Sequence, residues 1–404
     1  MIKIEKNIRQ ICWMQKPFQL LISIITLCML SGCVATPESV KNQKTGEKAD
    51  IEYEQIQYCK PEEVNELMQE ALDLELDNIK LPDTIHMQDA SQVSNVMFRY
   101  SSDVLERKEE LAKILDFPCK EWKVFDMGRE NDETMTAEGD SKKDLITVSD
   151  NGFVSIMKNN VSQLLEDEFN PQIEDIIQIP LENDDWKERQ CNLKDGTCTL
   201  GNVVQNIENF FQNDWCAFQP DFEQKVKTIL LREEDKQNYL NVTVAQYYKG
   251  IPLSTISTWS SSSGIIDKTC ASFDILLDSK DEFTWLTNGT GMLEAVKEEA
   301  IEEVISPKTA MKFLEIRYTD YREIEIKDIQ LVYELTPQEK ASELIAPGAE
   351  VKAVPYYSFL IERKYEDAGI TSVDESALNY YINVNMLTGE IEEDIDEGIY
   401  RQDA

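Results

Sequence analysis

Apolar side chains recur along the chain at two spacings that predict different elements. Apolar residues three and four positions apart predict amphipathic helices, whereas alternation with polar residues predicts strands buried on one face. The helical spacing occurs at 64–72, 200–211 and 310–317. The alternation is clearest at 240–248, 273–277, 329–335, 357–361 and 378–386. The chain is therefore expected to combine helices with half-buried strands.

From about residue 199 the same order of elements occurs twice. Thr199 can cap the helix of the first round, and Ser306 can cap the helix of the second. In each round the helix is followed by strands with the alternation typical of antiparallel sheets. We therefore predict an α+β fold in which 190–288 and 289–395 are repeated units, each with one helix packed on an antiparallel sheet.

The region at 51–180 carries signals of both kinds. Asp103 and Glu106 resemble a capping box that opens a helix. Asn151-Gly152 lies between two apolar runs and predicts a β-hairpin. We expect one mixed α/β domain here, ahead of the two repeated units.

The amino-terminal segment begins with basic residues, continues with an uncharged apolar run at 20–30, and ends with small residues. This order is typical of a secretory signal, and the run is shorter than the roughly 20 residues that a membrane span needs. The segment closes on Leu30-Ser31-Gly32-Cys33, which resembles the lipobox of bacterial lipoproteins. The resemblance implies that residues 1–32 are a signal peptide and that a lipid on Cys33 anchors the chain to the extracytoplasmic face of the cell membrane. The polar stretch 33–50 is expected to be a flexible tether.

The charge of the chain limits its partners. The net charge is −37, from 77 acidic and 40 basic residues. Such a surface repels the phosphates of nucleic acids and anionic lipid headgroups. We expect no nucleic-acid partner, and contact with the membrane only through the lipid anchor.

The last predicted strand leads into Leu387-Thr388-Gly389-Glu390. Together they resemble the final strand and turn of PepSY-type domains and of related extracytoplasmic regulators of the YycH and YycI kind. Those families end on a strand, an Asp and Thr-Gly-Glu, and here Asn385 takes the place of the Asp. The resemblance covers roughly 290–395 and implies a regulatory domain outside the cytoplasm. The residues themselves predict a hairpin turn in which Gly389 allows a positive φ.

Residues suited to catalysis or metal binding are sparse. His86 is the single histidine, so a histidine-dependent triad or a multi-histidine zinc site would have to use it. The motifs of zinc metalloproteases and of esterase nucleophiles do not occur. We predict no catalytic residue, no cofactor and no metal ion. Carboxylate pairs remain an alternative, because so many acidic residues bring some pairs together by chance.

Cysteines are numerous enough for disulfides in an exported chain. Six follow Cys33, at positions 59, 119, 191, 198, 216 and 270. Cys191 and Cys198 are the best candidate disulfide, because Asp195-Gly196 can turn the chain between them. The alternatives are free buried thiols and a metal site, although the spacing is wrong for a metal site.

These features favour a non-enzymatic binding or regulatory lipoprotein that contacts an envelope protein or an extracellular peptide. A strand edge could receive the peptide, and we predict such an edge near Tyr356–Glu362 or Tyr380–Asn385, where exposed tyrosines would add contact area. The alternative is a cell-envelope enzyme or glycan-binding protein that uses carboxylates and aromatic side chains. Its candidate platforms are Trp186, Trp215, Trp259 and Trp285. A solute-capturing protein of a transporter is disfavoured, because the strands look antiparallel.

Overall fold

The computed structural model of the chain describes most of the region after residue 55. The described residues are 56–85, 87–125, 133–141, 143–158, 176–179, 181, 184–234, 237–255, 258–260, 265–280, 282–289, 291–318, 324–338, 346–363 and 378–395. The predicted signal peptide, Cys33 and the predicted tether at 33–50 lie outside these residues, and so does His86. A search of the described residues finds no helix that is both long and apolar enough to cross a membrane.

Helices are few and strands are many in the described ranges. The α-helices are α1 (Val64–Ala71), α2 (Lys108–Ile114), α3 (Leu200–Asn213) and α4 (Pro307–Arg317). Short 3-10 helices lie at Pro61–Glu63, Ala90–Gln92, Asp184–Glu188 and Trp215–Ala217. The strands are β1 (Tyr58–Cys59), β2 (Ile79–Lys80), β3 (Ser94–Tyr100), β4 (Trp122–Phe125), β5 (Thr134–Glu138), β6 (Leu145–Ser149), β7 (Val154–Met157), β8 (Ile176–Gln178), β9 (Gln190–Leu193), β10 (Gly196–Thr199), β11 (Phe222–Glu234), β12 (Gln237–Tyr248), β13 (Ile251–Pro252), β14 (Thr258–Ser260), β15 (Ile265–Lys268), β16 (Ser272–Leu277), β17 (Trp285–Thr287), β18 (Leu293–Ala300), β19 (Val304–Ile305), β20 (Ile324–Pro337), β21 (Glu350–Arg363), β22 (Leu378–Asn385) and β23 (Ile391–Ile395).

The first sheet contains ten strands of the described chain. Their order is β4-β5-β6-β7-β17-β16-β12-β11-β8, with β13 beside β12. Alternation in β12 turns Leu240, Val242 and Val244 to one face, where they join a hydrophobic core with Ile207 and Phe211 of α3. The 3.6-residue period of α3 places its apolar side chains on one stripe, and this stripe covers that face of the sheet.

The second sheet contains seven strands of the described chain. Their order is β18-β3-β21-β20-β2, with β22 beside β21 and β23 beside β22. One side of β21 pairs with β20, and the other side is shared by β3 and β22. Its core contains Met68 of α1 and Phe313 of α4 together with Tyr333, Tyr357 and Phe359 of the sheet. Smaller two-stranded pairs are β1-β19, β9-β10 and β14-β15.

The fold is α+β, as predicted, and each predicted repeat contains a helix packed on antiparallel strands. The sheets, however, cross the predicted divisions of the chain. β7 pairs with β17, so the strands of 122–157 complete the first sheet. β3 pairs with β18 and β21, so the strand at 94–100 belongs to the second sheet. The strands of 51–180 thus fill sheet edges that the later strands leave unpaired, and residue 180 does not separate two sheets.

The two sheets are joined along a seam of backbone and side-chain contacts. Isolated bridges pair Leu253 with Tyr333 and Thr269 with Leu335. The Tyr100 hydroxyl lies 3.1 Å from Thr269 Oγ1 within this seam. Leu253 follows β13 and Thr269 follows β15, whereas Tyr333 and Leu335 lie in β20. Residues of the first sheet region therefore lie directly beside β20.

Candidate functional site

The strands predicted as peptide-binding edges lie in the interior of the second sheet. β21 is paired with β20 and β22, and β22 is paired with β21 and β23. Tyr356 is 5% exposed and Tyr357 is fully buried. The prediction of exposed edges at Tyr356–Glu362 and Tyr380–Asn385 is therefore wrong. The reason is the turn after Asn385, which brings β23 back along the free side of β22.

β18 forms an outer edge of the second sheet in the described chain, but its features oppose strand addition. A bulge lies between Ala295 and Lys297 and leaves Val296 40% exposed. Lys297 and Glu299 are also exposed and form an ion pair. Bulges and charged side chains are the usual means by which proteins protect strand edges from pairing. This edge is therefore a poor site for an added peptide strand.

A polar cluster lies on the face of the second sheet that is turned away from α1 and α4. Residues adjacent in a strand point to opposite faces, and Tyr333, Leu335 and Ile382 belong to the core beneath the helices. Glu334 and Asn383 therefore point to the other face. We use the term polar cluster for Glu334, Tyr356, Asn383 and Glu392, which come from β20, β21, β22 and β23.

Hydrogen bonds connect the polar cluster in pairs. Asn383 Nδ2 donates to Glu334 Oε1 at 2.9 Å, and the Tyr356 hydroxyl donates to Glu392 Oε1 at 3.2 Å. Glu334 and Asn383 are each 2% exposed, whereas Glu392 is half-buried. Burying a carboxylate is costly unless it is hydrogen-bonded, which explains why an amide faces Glu334. The deep carboxylate of Glu334 thus accepts from an amide N–H group, and the more accessible carboxylate of Glu392 accepts from a hydroxyl group.

A lysine from the first sheet reaches the rim of the polar cluster. Lys227 lies at a bulge of β11, between Val226 and Thr228, where the alternation of side chains is interrupted. Its Nζ donates to Thr255 Oγ1 at 2.7 Å and lies 5.4 Å from the ring centroid of Tyr381. Tyr381 is half-buried and points to the same face as Asn383. The rim therefore combines a cation and an aromatic ring with the carboxylates of the cluster.

The turn after β22 is built as its sequence predicts. Asn385 Oδ1 accepts hydrogen bonds from the backbone N–H groups of Leu387 at 2.8 Å and Thr388 at 3.1 Å. Gly389 has a φ of 75°, which confirms the predicted positive φ. Asn385 thus supplies the acceptor oxygen that holds the turn.

The candidate disulfide residues face each other across the β9-β10 hairpin. Cys191 and Cys198 are register partners, and their Sγ atoms lie 3.4 Å apart. The other described cysteines are Cys59, which is buried, and Cys119, Cys216 and Cys270, which are half-buried. In the described part of the chain, no three His, Cys, Asp or Glu side chains are grouped so that they could hold a metal ion.

The four tryptophans proposed as candidate platforms have different environments. Trp215 is fully buried in the first core and donates from Nε1 to Gln219 Oε1 at 2.9 Å. Trp215 is therefore excluded as a candidate ligand platform, because its ring packs among the apolar residues beneath α3. Trp186 packs against the same core, and Trp285 is half-buried in β17. The side chain of Trp259 lies outside the described residues.

Comparison with known proteins gives a fold and no family. No protein-family model matches the chain, and no curated protein matches it. A solved structure of an uncharacterized protein from Eubacterium rectale is similar to it at 13% identity and a TM-score of 0.53, covering 81% of this chain and 98% of that one. The C-terminal domain of YpeB from Bacillus megaterium aligns at 11% identity and a TM-score of 0.36, covering 74% of this chain and 99% of that one. The first similarity shows a shared fold.

Sequence reasoning did not find the polar cluster. A polar residue at every second position of a strand is the ordinary pattern of an exposed face. A signal was nevertheless present, because Asn383 and Asn385 occupy alternate positions of one strand, and Asn is depleted in strands. That pattern indicates side chains held for their hydrogen bonds.

Proposed function

We propose that this chain is a lipid-anchored, extracytoplasmic binding module that contacts an envelope protein or peptide and does not turn over a substrate. The lipobox resemblance at Cys33 supports the anchor. The observation that carries the binding function is the polar cluster, in which Glu334 and Glu392 lie on a sheet face with Tyr381 and Lys227 at the rim.

The chemistry of the polar cluster indicates what the partner must supply. Apolar side chains of similar size at these positions would stabilise the fold at least as well, because buried carboxylates are costly to desolvate. Glu392 is the half-buried carboxylate of the polar cluster, so the partner is expected to present amide or cationic donors to it. The net charge of −37 would also attract a basic partner. Added salt is therefore expected to lower the association rate constant more than it changes the dissociation rate constant.

Site-specific cross-linking of the full-length protein in its native membranes tests this function. A photo-reactive residue in place of Tyr381 should capture one envelope protein or peptide, which mass spectrometry then identifies. The control position is Lys312, which is exposed on α4 at the opposite face of the sheet. Equal capture from both positions would contradict a site at the polar cluster.

Binding of the identified partner then tests the role of charge. Glu392→Gln keeps the shape of the half-buried side chain and removes its charge, and it should weaken binding about ten-fold, which corresponds to about 1.4 kcal/mol. The matched control is Glu390→Gln, which removes one carboxylate from the exposed turn nearby. If the chain instead hydrolyses a cell-wall polymer and Glu392→Gln abolishes that activity, the enzymatic alternative is correct.

Glycan binding is a second candidate function, favoured by the surroundings of Trp285. A row of polar side chains crosses the first sheet on the face opposite α3, next to the position of Trp285. By register it runs through Thr136, Thr147, Ser155, Thr287, Asp274, Thr243 and Thr228. Neighbouring strands are about 4.8 Å apart, a spacing close to the length of one sugar unit in an extended chain. Thr147, Ser155 and Thr287 are each less than 9% exposed, so a sugar ring could reach only the half-buried members of the row.

Sedimentation with purified cell-wall glycan separates the two functions. Glycan binding predicts that the wild-type chain co-sediments and that Trp285→Ala lowers the bound fraction, because an aromatic face is the usual stacking surface for a sugar ring. The control is Trp186→Ala, which alters a tryptophan packed on the other face of the sheet. If the wild-type chain does not sediment with the glycan, glycan binding is rejected.

A further inference from the structure

The β9-β10 hairpin carries two thiols at opposed positions. Cys191 is fully buried and Cys198 is half-buried, so only one of them is open to reagents in solution. Directly opposed residues of antiparallel strands have Cα atoms about 4.5–5.5 Å apart, which lies within the range that a disulfide spans. The Sγ of Cys191 also lies 3.5 Å from the carbonyl oxygen of Cys198. A bond between the sulphur atoms would therefore need little movement of the backbone.

The hairpin is fixed to the first sheet at both ends of its turn. Lys194 N donates to Asp278 O at 2.8 Å. Asp195 accepts hydrogen bonds from Ser279 Oγ at 2.9 Å and from Lys280 N at 3.1 Å. These hydrogen bonds connect the hairpin turn to the β16-β17 turn, which leads to Trp285.

We propose that Cys191 and Cys198 form a disulfide by exchange with a low-molecular-weight disulfide, that Cys198 reacts first, and that the bond locks the hairpin against the β16-β17 turn. The difference in exposure sets the order of reaction. Cys198 is accessible to the oxidant, whereas Cys191 can be reached only from within the hairpin.

The exchange takes place in two steps. The Cys198 thiol loses its proton to solvent, and the thiolate attacks one sulphur of the oxidant R–S–S–R. This step forms the mixed disulfide of Cys198 and expels R–S⁻, which takes up a proton. The Cys191 sulphur then attacks Cys198 Sγ, and its proton passes to the departing R–S⁻, so that the second R–SH is released. The two cysteines lose two electrons and two protons, and the oxidant becomes two R–SH molecules.

The bond is expected to persist once it has formed. Burial, followed by the hydrogen bond with Cys198, raises the pKa of the Cys191 thiol above its ordinary value. A reducing thiol can reach only the Cys198 sulphur, and it must then expel Cys191. A thiol with a raised pKa is a poor leaving group, so reduction by glutathione is expected to be slow.

Treatment of the full-length chain with oxidised glutathione tests the proposal. Peptide mapping should show residues 190–199 lighter by two hydrogens and resistant to alkylation, whereas the half-buried Cys216 carries glutathione. Exchange of the Lys280 amide with deuterated solvent should slow upon oxidation, because that amide donates to Asp195. If both thiols remain open to alkylation while Cys216 has reacted, the proposal is overturned.

Two single variants test the order of reaction. Cys191→Ser should accumulate a glutathione mixed disulfide on Cys198, since the second step is blocked. Cys198→Ser should leave Cys191 unmodified, or modified at least about ten-fold more slowly, because burial denies access to the oxidant. If Cys198 in the first variant and Cys191 in the second are modified by glutathione at equal rates, the proposed order of reaction is overturned. Circular dichroism of both variants checks that they fold, and the mapping of the wild-type chain does not depend on them.

Discussion

Gly389 is a residue whose identity is required for two independent reasons. Its φ is 75°, which side chains other than glycine rarely adopt, and an added Cβ would collide with the ring of Phe313 on α4. The turn therefore approaches the helix more closely than any other residue would allow. The sequence predicted the first reason from Thr-Gly, but the second depends on a helix more than 70 positions away.

Replacing Gly389 with Ala should lower the free energy of unfolding by about 2–4 kcal/mol, because backbone strain and overpacking add. Chemical denaturation measures this change. Gly250→Ala is the matched control, since Gly250 also has a positive φ of 81° but faces open space. The control should lose only the strain, about 1 kcal/mol. Similar losses for both variants would mean that contact with Phe313 contributes nothing.

Glu298 connects the two sheets through three donors. It accepts hydrogen bonds from Lys249 Nζ at 2.6 Å, from Ser94 Oγ at 2.7 Å and from the Tyr248 hydroxyl at 3.2 Å. Burial raises the pKa of Glu298, but the bonds from Lys249 and Ser94 together outweigh burial, so its pKa lies below the ordinary value for glutamate. Its ionised form is thus favoured in the folded chain.

The lowered pKa of Glu298 predicts part of the response of the chain to acid. The stabilisation is complete above the ordinary glutamate pKa and is lost as the pH falls through the lower pKa of the folded state. Glu298→Gln should reduce stability at neutral pH by about 1 kcal/mol or less, since the group is partly exposed to solvent, and the difference from wild type should shrink in acid. Thermal unfolding of the wild type and the variant over a range of pH measures the loss of stability at neutral pH and its decrease in acid. If the difference in stability between wild type and Glu298→Gln grows as the pH falls, the predicted lowering of the Glu298 pKa is wrong.

At the scale of elements, local signals were reliable where local forces decide. Thr199 Oγ1 accepts a hydrogen bond from Asn202 N at 3.2 Å, and Ser306 Oγ accepts one from Thr309 N at 3.3 Å, so these two predicted helix caps are confirmed. These bonds satisfy backbone donors that the helix leaves unpaired. The alternating strands β12, β16, β20 and β22 also lie where their patterns predicted. The capping box predicted at Asp103 and Glu106 is wrong, because α2 begins only at Lys108 and has no side-chain cap.

The cap of α3 provides a prediction for one element. Thr199→Ala should lower the free energy of unfolding by about 1 kcal/mol, because the first turn of the helix loses an acceptor. Thr199→Ser is the control, since it keeps the hydroxyl and should remain close to wild type. Urea unfolding of both variants measures the effect, and equal losses would show that the cap contributes nothing to stability.

Strand neighbours were not predictable from the same signals. β7 pairs with β17 although the two strands are more than 120 positions apart, and no local pattern specifies such a partner. The polar cluster has the same origin, because its four members come from separate strands and become neighbours only through register. Asn385 and Gly389 could be interpreted from the sequence because their contacts in the turn are local.

At the scale of the whole molecule, the chain leaves each hydrophobic core and later returns to it. The second core contains residues from both ends of the described chain, such as Val64 and Val384. The first core combines Leu111, Ile146 and Ile156 with residues that follow position 190. An insertion-like arrangement results, in which the first sheet is formed by the middle of the chain. This arrangement differs from a row of three consecutive domains.

The arrangement predicts which fragment can fold. A fragment of 190–288, the first predicted repeat, lacks β4 to β7, so one edge of β17 is unpaired and the apolar surface beside Phe273 and Leu286 loses its cover from Ile146 and Ile156. It should give the spectrum of an unfolded or aggregated chain, because burying too little apolar surface leaves chain entropy uncompensated. A fragment of 101–292 contains every described strand of the first sheet and should show β-sheet circular dichroism with a cooperative melt. If the fragment 190–288 folds alone and the fragment 101–292 is no more stable, the first sheet is not the cooperative unit of folding.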